Sequence, residues 1–330
     1  MKNRQIGKSD LTASVIGMGT WAIGGGEWWG DNDEKESIRT IQYAVDQGIT
    51  WIDTAPAYGF GLSEEVVGKA IKSCREKVVL STKCGLEWRE KGGSLHVHRD
   101  GRDLYRNLAP ESIRKDLEDS LRRLQTDYID VYYTHWQSVG DVAIEDTMQE
   151  LMKMKQEGKI RAIGASNVTV AHLEEYLKYG QLDVIQERYS MVDRKIEKEL
   201  MPFCNTHQIT IQAYSPIEQG LLTGKVSNDR KLTPGDIRNS QVSWLPQNRI
   251  LINQMLDGWK DLAEKYQCAI GNLVIAWTAE QSPYMNVLCG ARKVHQVEEN
   301  VLAGKVELEL EDLKRMTKDA NEVVEKMISK

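Results

Sequence analysis

Hydrophobic residues recur along this chain with two periods, and the two alternate. Short apolar runs at 15–20, 51–52, 78–83 (VVLSTK), 128–135 (YIDVYYTH), 160–165, 184–189, 210–214 and 286–289 read as strands. Between them apolar side chains fall at helical spacing: Ile38, Ile41 and Val45; Leu117, Leu121 and Leu124; Ile144, Met148, Leu151 and Met154. A last helix carries Leu310, Leu313, Met316, Ala320, Val323 and Met327. Further helices are expected at 170–177, at 196–204 and, as a pair, over about 250–280. Gly48 and Gly158 stop helices, and Pro110 opens one. Residues 2–13 read as a small hairpin or lid turning between Gly7 and Asp10. Eight strands, each reached through helix, imply parallel pairing with right-handed crossovers. No low-complexity linker or short repeat divides the chain. The pattern predicts an α/β fold, a single (β/α)8 TIM barrel over 1–330, with an N-terminal hairpin and long loops at its C-terminal face. A doubly wound sheet would normally show a glycine fingerprint and a domain break. Gly17-Met18-Gly19 leads directly into no helix and reads as a turn at the barrel mouth.

Composition narrows the class without changing the fold. A hydrophobic fraction of 41% supports a large core, and a net charge of −6 advertises no basic face for nucleic acid. The five cysteines, Cys74, Cys84, Cys204, Cys268 and Cys289, include no CxxC pair and read as reduced, packed thiols. The N-terminus lacks the apolar core of a signal peptide, and no apolar run approaches membrane-spanning length. A cytoplasmic protein with no membrane partner is expected.

Barrel enzymes place their chemistry at the C-terminal ends of strands. Those positions hold Asp53 after the second strand, Lys83 at the end of the third and His135 at the end of the fourth. Tyr58 follows Asp53 in a loop released by Gly59 and Gly61, and Ser63 with Glu64 and Glu65 is expected to begin the next helix as its cap. A free phenol ionises near pH ~10, too high for an effective acid at neutrality. A neighbouring ammonium would lower that value, and a carboxylate would keep the ammonium charged and aimed. An imidazole alongside could hold a carbonyl oxygen. Together the four would protonate an oxygen as hydride arrives at its carbon. Trp21, Trp28, Trp29 and Trp136 lie in loops after strands one and four and are expected to wall the substrate mouth. The segment 85–109, with Arg89, Arg99, Arg102 and Arg106, should lie over the same mouth, either as a solvated loop or as a favourer of polyhydroxylated or anionic substrates. Within it His96 and His98 read as solvated rather than as metal ligands. Cys84 reads as packing, and Arg122 and Arg123 as a solvated helix face.

These motifs, DTAPAYG with SEEVVG, the STK strand end, YIDVYYTH, GASN and the EEN helix, resemble those of the aldo-keto reductases over nearly the whole chain. The nearest branch is the bacterial one that includes inositol-operon and general-stress reductases. The resemblance implies a catalytic tetrad of Asp53, Tyr58, Lys83 and His135, no metal, and a nicotinamide cofactor extended across the barrel mouth. Ser166, Asn167 and Gln186 match positions that hold the carboxamide, and Tyr214 matches the aromatic under the nicotinamide ring; Gly19, Thr20, Trp21 and Asp53 border the same end. The loop SPIEQGLLTGK resembles the pyrophosphate belt and supplies Ser215, Pro216, Ile217, Gln219, Gly220, Leu222, Gly224 and Lys225. Gly290, Ala291, Arg292, Gln296, Glu299 and Asn300 resemble the adenosine end. Many members carry arginine where Gln296 stands, so recognition of a 2′-phosphate would rest on Arg292, helped by Lys293. NADP(H) is the expected cofactor and NAD(H) the alternative. The expected substrate is a small carbonyl or sugar, met by Trp21, Trp28, Trp29, Tyr58, His135 and Trp136.

Two other classes stand beside this one. A cofactor-sensing regulatory protein, like the potassium-channel β subunits, would share the fold and the tetrad. A chain starting directly at the hairpin mildly favours the enzyme. A barrel lyase would use Lys83 as a Schiff base, against which the Asp53 and Tyr58 spacing argues.

Overall fold

Each apolar run becomes a strand whose ends lie within one residue of where its periodicity places them. The computed structural model describes residues 1–140, 142–233 and 235–328. An antiparallel hairpin, β1 (Asn3–Gln5) and β2 (Thr12–Ser14), opens the chain. The strands β3 (Ile16–Gly19), β4 (Trp51–Asp53) and β5 (Val79–Cys84) follow. Then come three short strands outside the barrel, β6 (Leu86–Glu87), β7 (Ser94–Arg99) and β8 (Arg102–Arg106). The barrel resumes with β9 (Ile129–Thr134), β10 (Ile160–Ser166), β11 (Val184–Arg188), β12 (Thr210–Tyr214) and β13 (Met285–Gly290). The eight barrel strands close in the order β10-β11-β12-β13-β3-β4-β5-β9, all neighbours parallel. This is a (β/α)8 barrel.

Helices fill the crossovers. After a short turn α1 (Gly26–Trp29) come α2 (Glu34–Asp46), α3 (Leu62–Ile71), α4 (Pro110–Leu124), α5 (Ile144–Gln156), α6 (Val170–Tyr179) and α7 (Leu200–His207). The chain ends through α8 (Pro246–Asp257), α9 (Lys260–Lys265), α10 (Ile270–Ala279), α11 (Val294–Ala303) and α12 (Leu310–Lys326). Ile41, Leu117, Met148, Leu151, Met154 and Met316 are among the stripe residues buried between helices and barrel. The hairpin is a plug rather than a lid over the mouth. Its Ile6, Leu11 and Ala13 pack on Trp51, Val79 and Val184 at the starts of barrel strands, closing the N-terminal end. Gly7 N–H donates to Thr210 Oγ1 at 2.8 Å there, and its φ of +54° lets the chain pass against Asp183, whose carbonyl a Cβ would meet at 2.1 Å.

Tertiary packing alters five expectations. The segment 85–109 is no open loop: β6, β8 and β7 form an antiparallel sheet, seated by Leu86 and Leu104 on Ala57 with Phe60 and Trp136 alongside. Gly17 and Gly19 lie within β3 rather than in a turn; a Cβ on Gly19 would press on Leu288 at 3.2 Å. The stretch from 246 to 279 holds three helices, not two, because the chain breaks at Gly258 and again near Gln267, where φ is +49°. Ser63 is not the cap of α3, since Gly61 takes that position; its buried hydroxyl bonds instead to Thr20 and Thr54. Arg123 is no solvated face. It holds the fully buried Glu64 at 2.6 Å, and Thr82 Oγ1 donates to the other oxygen of that carboxylate.

Removing one partner of a buried pair leaves an uncompensated charge. Arg123→Ala should therefore cost about 3 kcal/mol of stability by urea denaturation, and Arg123→Ala with Glu64→Gln should recover part of it. A single variant with an unchanged midpoint would show that Glu64 does not depend on this partner.

Candidate active site

The register of β4 against β5 sets Asp53 opposite Ser81, so Lys83, two residues on, shares the inward side just above. Lys83 Nζ has three protons and three acceptors: Asp53 Oδ2 at 2.7 Å, the Thr54 carbonyl at 2.8 Å and Tyr58 Oη at 3.2 Å. Asp53 Oδ1 accepts from Ser81 Oγ at 2.7 Å and from Gln186 Nε2 at 3.0 Å. Lys83 and Asp53 are both buried, so each bond acts with little screening by water. His135, just beyond β9, stands edge-on to Tyr58 with ring centroids 5.9 Å apart. The four residues at the ends of three strands thus meet in one place.

Their protonation follows from burial and neighbours. Burial pulls Lys83 down, but the charge of Asp53 and its bonds to Asp53 and Tyr58 outweigh it, leaving the ammonium above its ordinary value and cationic at neutral pH. A cation is not a Schiff-base nucleophile, which removes the chemical basis of the lyase reading. For Tyr58 the expected lowering does not win. Burial raises the phenol, Asp53 adds to that, and Lys83 offsets only part, so the hydroxyl is protonated at neutral pH. His135 is driven well below the ordinary histidine range by burial, then by Lys83 and His96, and is a neutral imidazole.

Above this floor opens a cavity of about 610 Å³. Its walls include Trp21, Trp28, Trp29 and Trp136. Trp21 meets Trp28 and Trp29 edge-to-face at 5.6 and 5.2 Å and lies 6.4 Å from Tyr58. The cavity extends past Gly19, Ser166, Asn167, Gln186 and Tyr214, then along Ser215, Pro216, Ile217, Gln219 and Gly220 to Gly290, Ala291, Arg292 and Gln296. Asn167 is held at φ +56° by donating from Nδ2 to the His135 carbonyl at 2.9 Å and accepting at Oδ1 from Tyr214 Oη at 3.0 Å. A dinucleotide fits these residues on two counts. Gln219 Oε1 is buried without a partner. Ser215, Glu218, Gln219 and Gly220 all have positive φ, and open space lies where Gly220 would carry a Cβ, so strap backbone can approach a phosphate.

Other expected contacts stand apart from the cavity. Leu222 is buried in the main core, and Thr20 is buried with its hydroxyl on the Asp53 carbonyl. Gly224 is not in the cavity wall, Lys225 and Glu299 pair with each other at 2.6 Å, and Asn300 Nδ2 reaches the Gly290 carbonyl at 3.5 Å. Arg292 is in the wall, but its guanidinium donates to the carbonyls of Trp29, at 2.8 Å, and Asp31. Gln296 Oε1 accepts from the Arg292 and Lys293 amides.

Two features escaped sequence reasoning. The strap is pinned by buried Glu218, which accepts from Arg188 at 2.5 Å, Ser190 at 2.8 Å and Ser243 at 2.7 Å, partners at least 25 residues away and without a local signal. His96 is half-buried in the cavity wall, tilted against Trp136 at 4.9 Å and accepting from Arg106 Nε at 3.0 Å, rather than free in a polar loop. His98, two residues along β7, is exposed and bonds Asp103 instead. Regular alternation would put both rings on one face, but the β7–β8 register shifts between Leu95 and Val97, a bulge that no local sequence signal announced. Of the arginines, Arg106 stacks on Trp136, Arg99 on Trp28 and Arg102 on Phe60, whereas Arg89 binds Glu87, Asp116 and Asp119 away from the mouth.

Burial and Arg106 lower the His96 imidazole to about 4. A depressed histidine stabilises the fold above the unfolded value of ~6.5 and loses that contribution as pH falls through the folded one. Stability should therefore fall between about pH 6.5 and 4, with a shallower fall in His96→Phe. An imidazole NMR signal of His96 titrating near pH ~6.5 would refute the burial argument.

The aldo/keto reductase family matches residues 15–320. The NADH-specific methylglyoxal reductase of Escherichia coli (strain K12) is 49% identical over 312 residues, 93% of this chain and 95% of the relative. The solved glycerol dehydrogenase of Gluconobacter oxydans superposes with a TM-score of 0.87 at 33% identity, covering 99% of this chain and 96% of that one. An aldo/keto reductase from Klebsiella pneumoniae, solved with NADP and acetate, superposes at 0.70 with 25% identity, covering 96% and 94%. Barrel, strand-end cluster and family match agree, and this chain belongs to the aldo/keto reductase family.

Proposed function

We propose that the chain, folded as one domain over 1–330, is a nicotinamide-dependent carbonyl reductase that converts aldehydes, ketones or sugar carbonyls reversibly to alcohols. The observation that carries the reading is Lys83 Nζ bonded at once to Asp53 and Tyr58, beside a neutral His135, at the floor of an aromatic-walled cavity. A bound reduced nicotinamide would supply the hydride. Ser166, Asn167 and Gln186 would hold its carboxamide, with Tyr214 beneath the ring and the 215–220 strap along the pyrophosphate. Tyr58 acts as the general acid, giving its proton to the carbonyl oxygen as negative charge gathers there. Lys83 stabilises the phenolate left behind, and Asp53 fixes the ammonium in place. His135 donates its single N–H to the same oxygen. In the reverse direction the phenolate recovers the proton from the alcohol. The relatives named for methylglyoxal and for glycerol support a small oxygen-bearing substrate.

Tyr58→Phe removes the proton and little else. Turnover of aldehydes should fall roughly 10²–10⁴-fold, while cofactor affinity, read by fluorescence titration on the same preparation, should hardly change. Near-normal turnover would remove Tyr58 from the role of acid.

NADP(H) is the proposed cofactor, with NAD(H) also accommodated, and Arg292 decides the margin. A charge-assisted bond to a 2′-phosphate is worth about 1.5–3 kcal/mol, yet Arg292 must give up its bonds to the Trp29 and Asp31 carbonyls, which its guanidinium also makes charge-assisted. The margin is therefore small, which suits a family holding both the NADH-specific relative and the NADP-bound structure. The ratio of NADPH to NADH affinity should lie within about tenfold of unity, and Arg292→Ala should move it towards NADH. An Arg292→Ala protein that loses both cofactors equally would refute the assignment.

A further inference from the structure

The β6-β8-β7 sheet brings a second imidazole to the cavity. His96 Nδ1 accepts from Arg106 Nε at 3.0 Å, and a neutral ring accepting there carries its proton on Nε2. The ring lies 4.9 Å from Trp136, and the Arg106 guanidinium carbon sits 4.8 Å from the same indole, so two contacts fix the imidazole. Among the described residues no protein acceptor takes the Nε2 proton, and His96 lines the cavity together with Tyr58, His135 and Trp136. Arg106 does not line it. The wall thus presents a neutral donor with an arginine behind it, not a cation. Such a donor matches a keto or hydroxyl oxygen better than a carboxylate.

We propose that His96 Nε2–H is a specificity-determining donor that selects carbonyl compounds carrying a keto or hydroxyl oxygen on the carbon adjacent to the reacting carbonyl. Tyr58 and His135 would converge on the reacting oxygen, and His96, in the wall of the same cavity, would serve an oxygen one carbon away. A substrate lacking that oxygen leaves the donor facing apolar carbon and loses the bond it made with water. The assignment rests on the carbonyl-reductase reading above and names the substrate class of that site.

The test measures kcat/KM for propanal, 2-hydroxypropanal and 3-hydroxypropanal with wild type, His96→Phe and His96→Gln. Phenylalanine keeps a ring against Trp136 without the donor; glutamine keeps a neutral donor. Wild type should prefer 2-hydroxypropanal to both other aldehydes. His96→Phe should shrink that preference roughly 3- to 10-fold, the size of one neutral hydrogen bond, and His96→Gln should retain more of it. Equal losses for all three aldehydes in His96→Phe would overturn the assignment and leave the reductase reading intact. So would a wild type indifferent to the 2-hydroxyl, a result that depends on no variant folding. Wild type that reduces no aldehyde would overturn the reading beneath and this assignment with it.

Discussion

Everything at the mouth of this barrel is arranged around an ion pair kept out of water. Lys83 and Asp53 are buried within the strand wall, where each ion alone would cost several kcal/mol to desolvate. The cost is offset because every proton on Lys83 has an acceptor and both oxygens of Asp53 have donors. Such a pair tolerates little displacement. It fixes the end of β5 against β4, holds the loop after β4 through the Thr54 carbonyl, and leaves one proton of the ammonium for Tyr58. The shape of the first loop and the position of the phenol follow from the same bonds.

The interior of the barrel continues that network. Gln186 bonds both Asp53 and Gln212, Tyr133 Oη reaches Gln212, and Gln212 in turn reaches Asn286. Below this polar layer sits the apolar plug completed by the hairpin. One end of the barrel is therefore apolar and closed, and the other is open. A chemical site can form only at the second. The same division explains why a hairpin far from the cavity belongs to the stable frame and not to the mouth.

A separate buried carboxylate orders the strap. Glu218, with three donors on one side chain, holds the 215–220 segment in a shape where Ser215, Glu218, Gln219 and Gly220 all have positive φ, which it would not adopt alone. Unlike the Lys83–Asp53 pair, this anchor has no neighbour in sequence that announces it. The small sheet β6-β8-β7 is similar: its seat on Ala57 and Trp136 depends on two distant loops arriving together.

The sequence by itself determined the barrel, because strand and helix periods are local and eight alternations of them leave few topologies. It also determined which side chains occupy strand ends, since a residue that closes an apolar run must emerge where the strand does. Asp53, Lys83 and His135 were legible for that reason, and Tyr58 by its loop. Tertiary structure decided what those groups are chemically. The phenol of Tyr58 is raised and not lowered, because desolvation scales with everything packed around it and no pattern of neighbours in the chain reports that. It also decided the partners of groups that look solvated in one dimension. Arg123 meets Glu64 across two helices, Arg292 reaches back to the loop after α1, and His96 turns inward while His98 turns out. Contacts between residues 59 to 263 positions apart depend on how helices and loops pack, and packing is a property of the closed barrel, not of any segment of it.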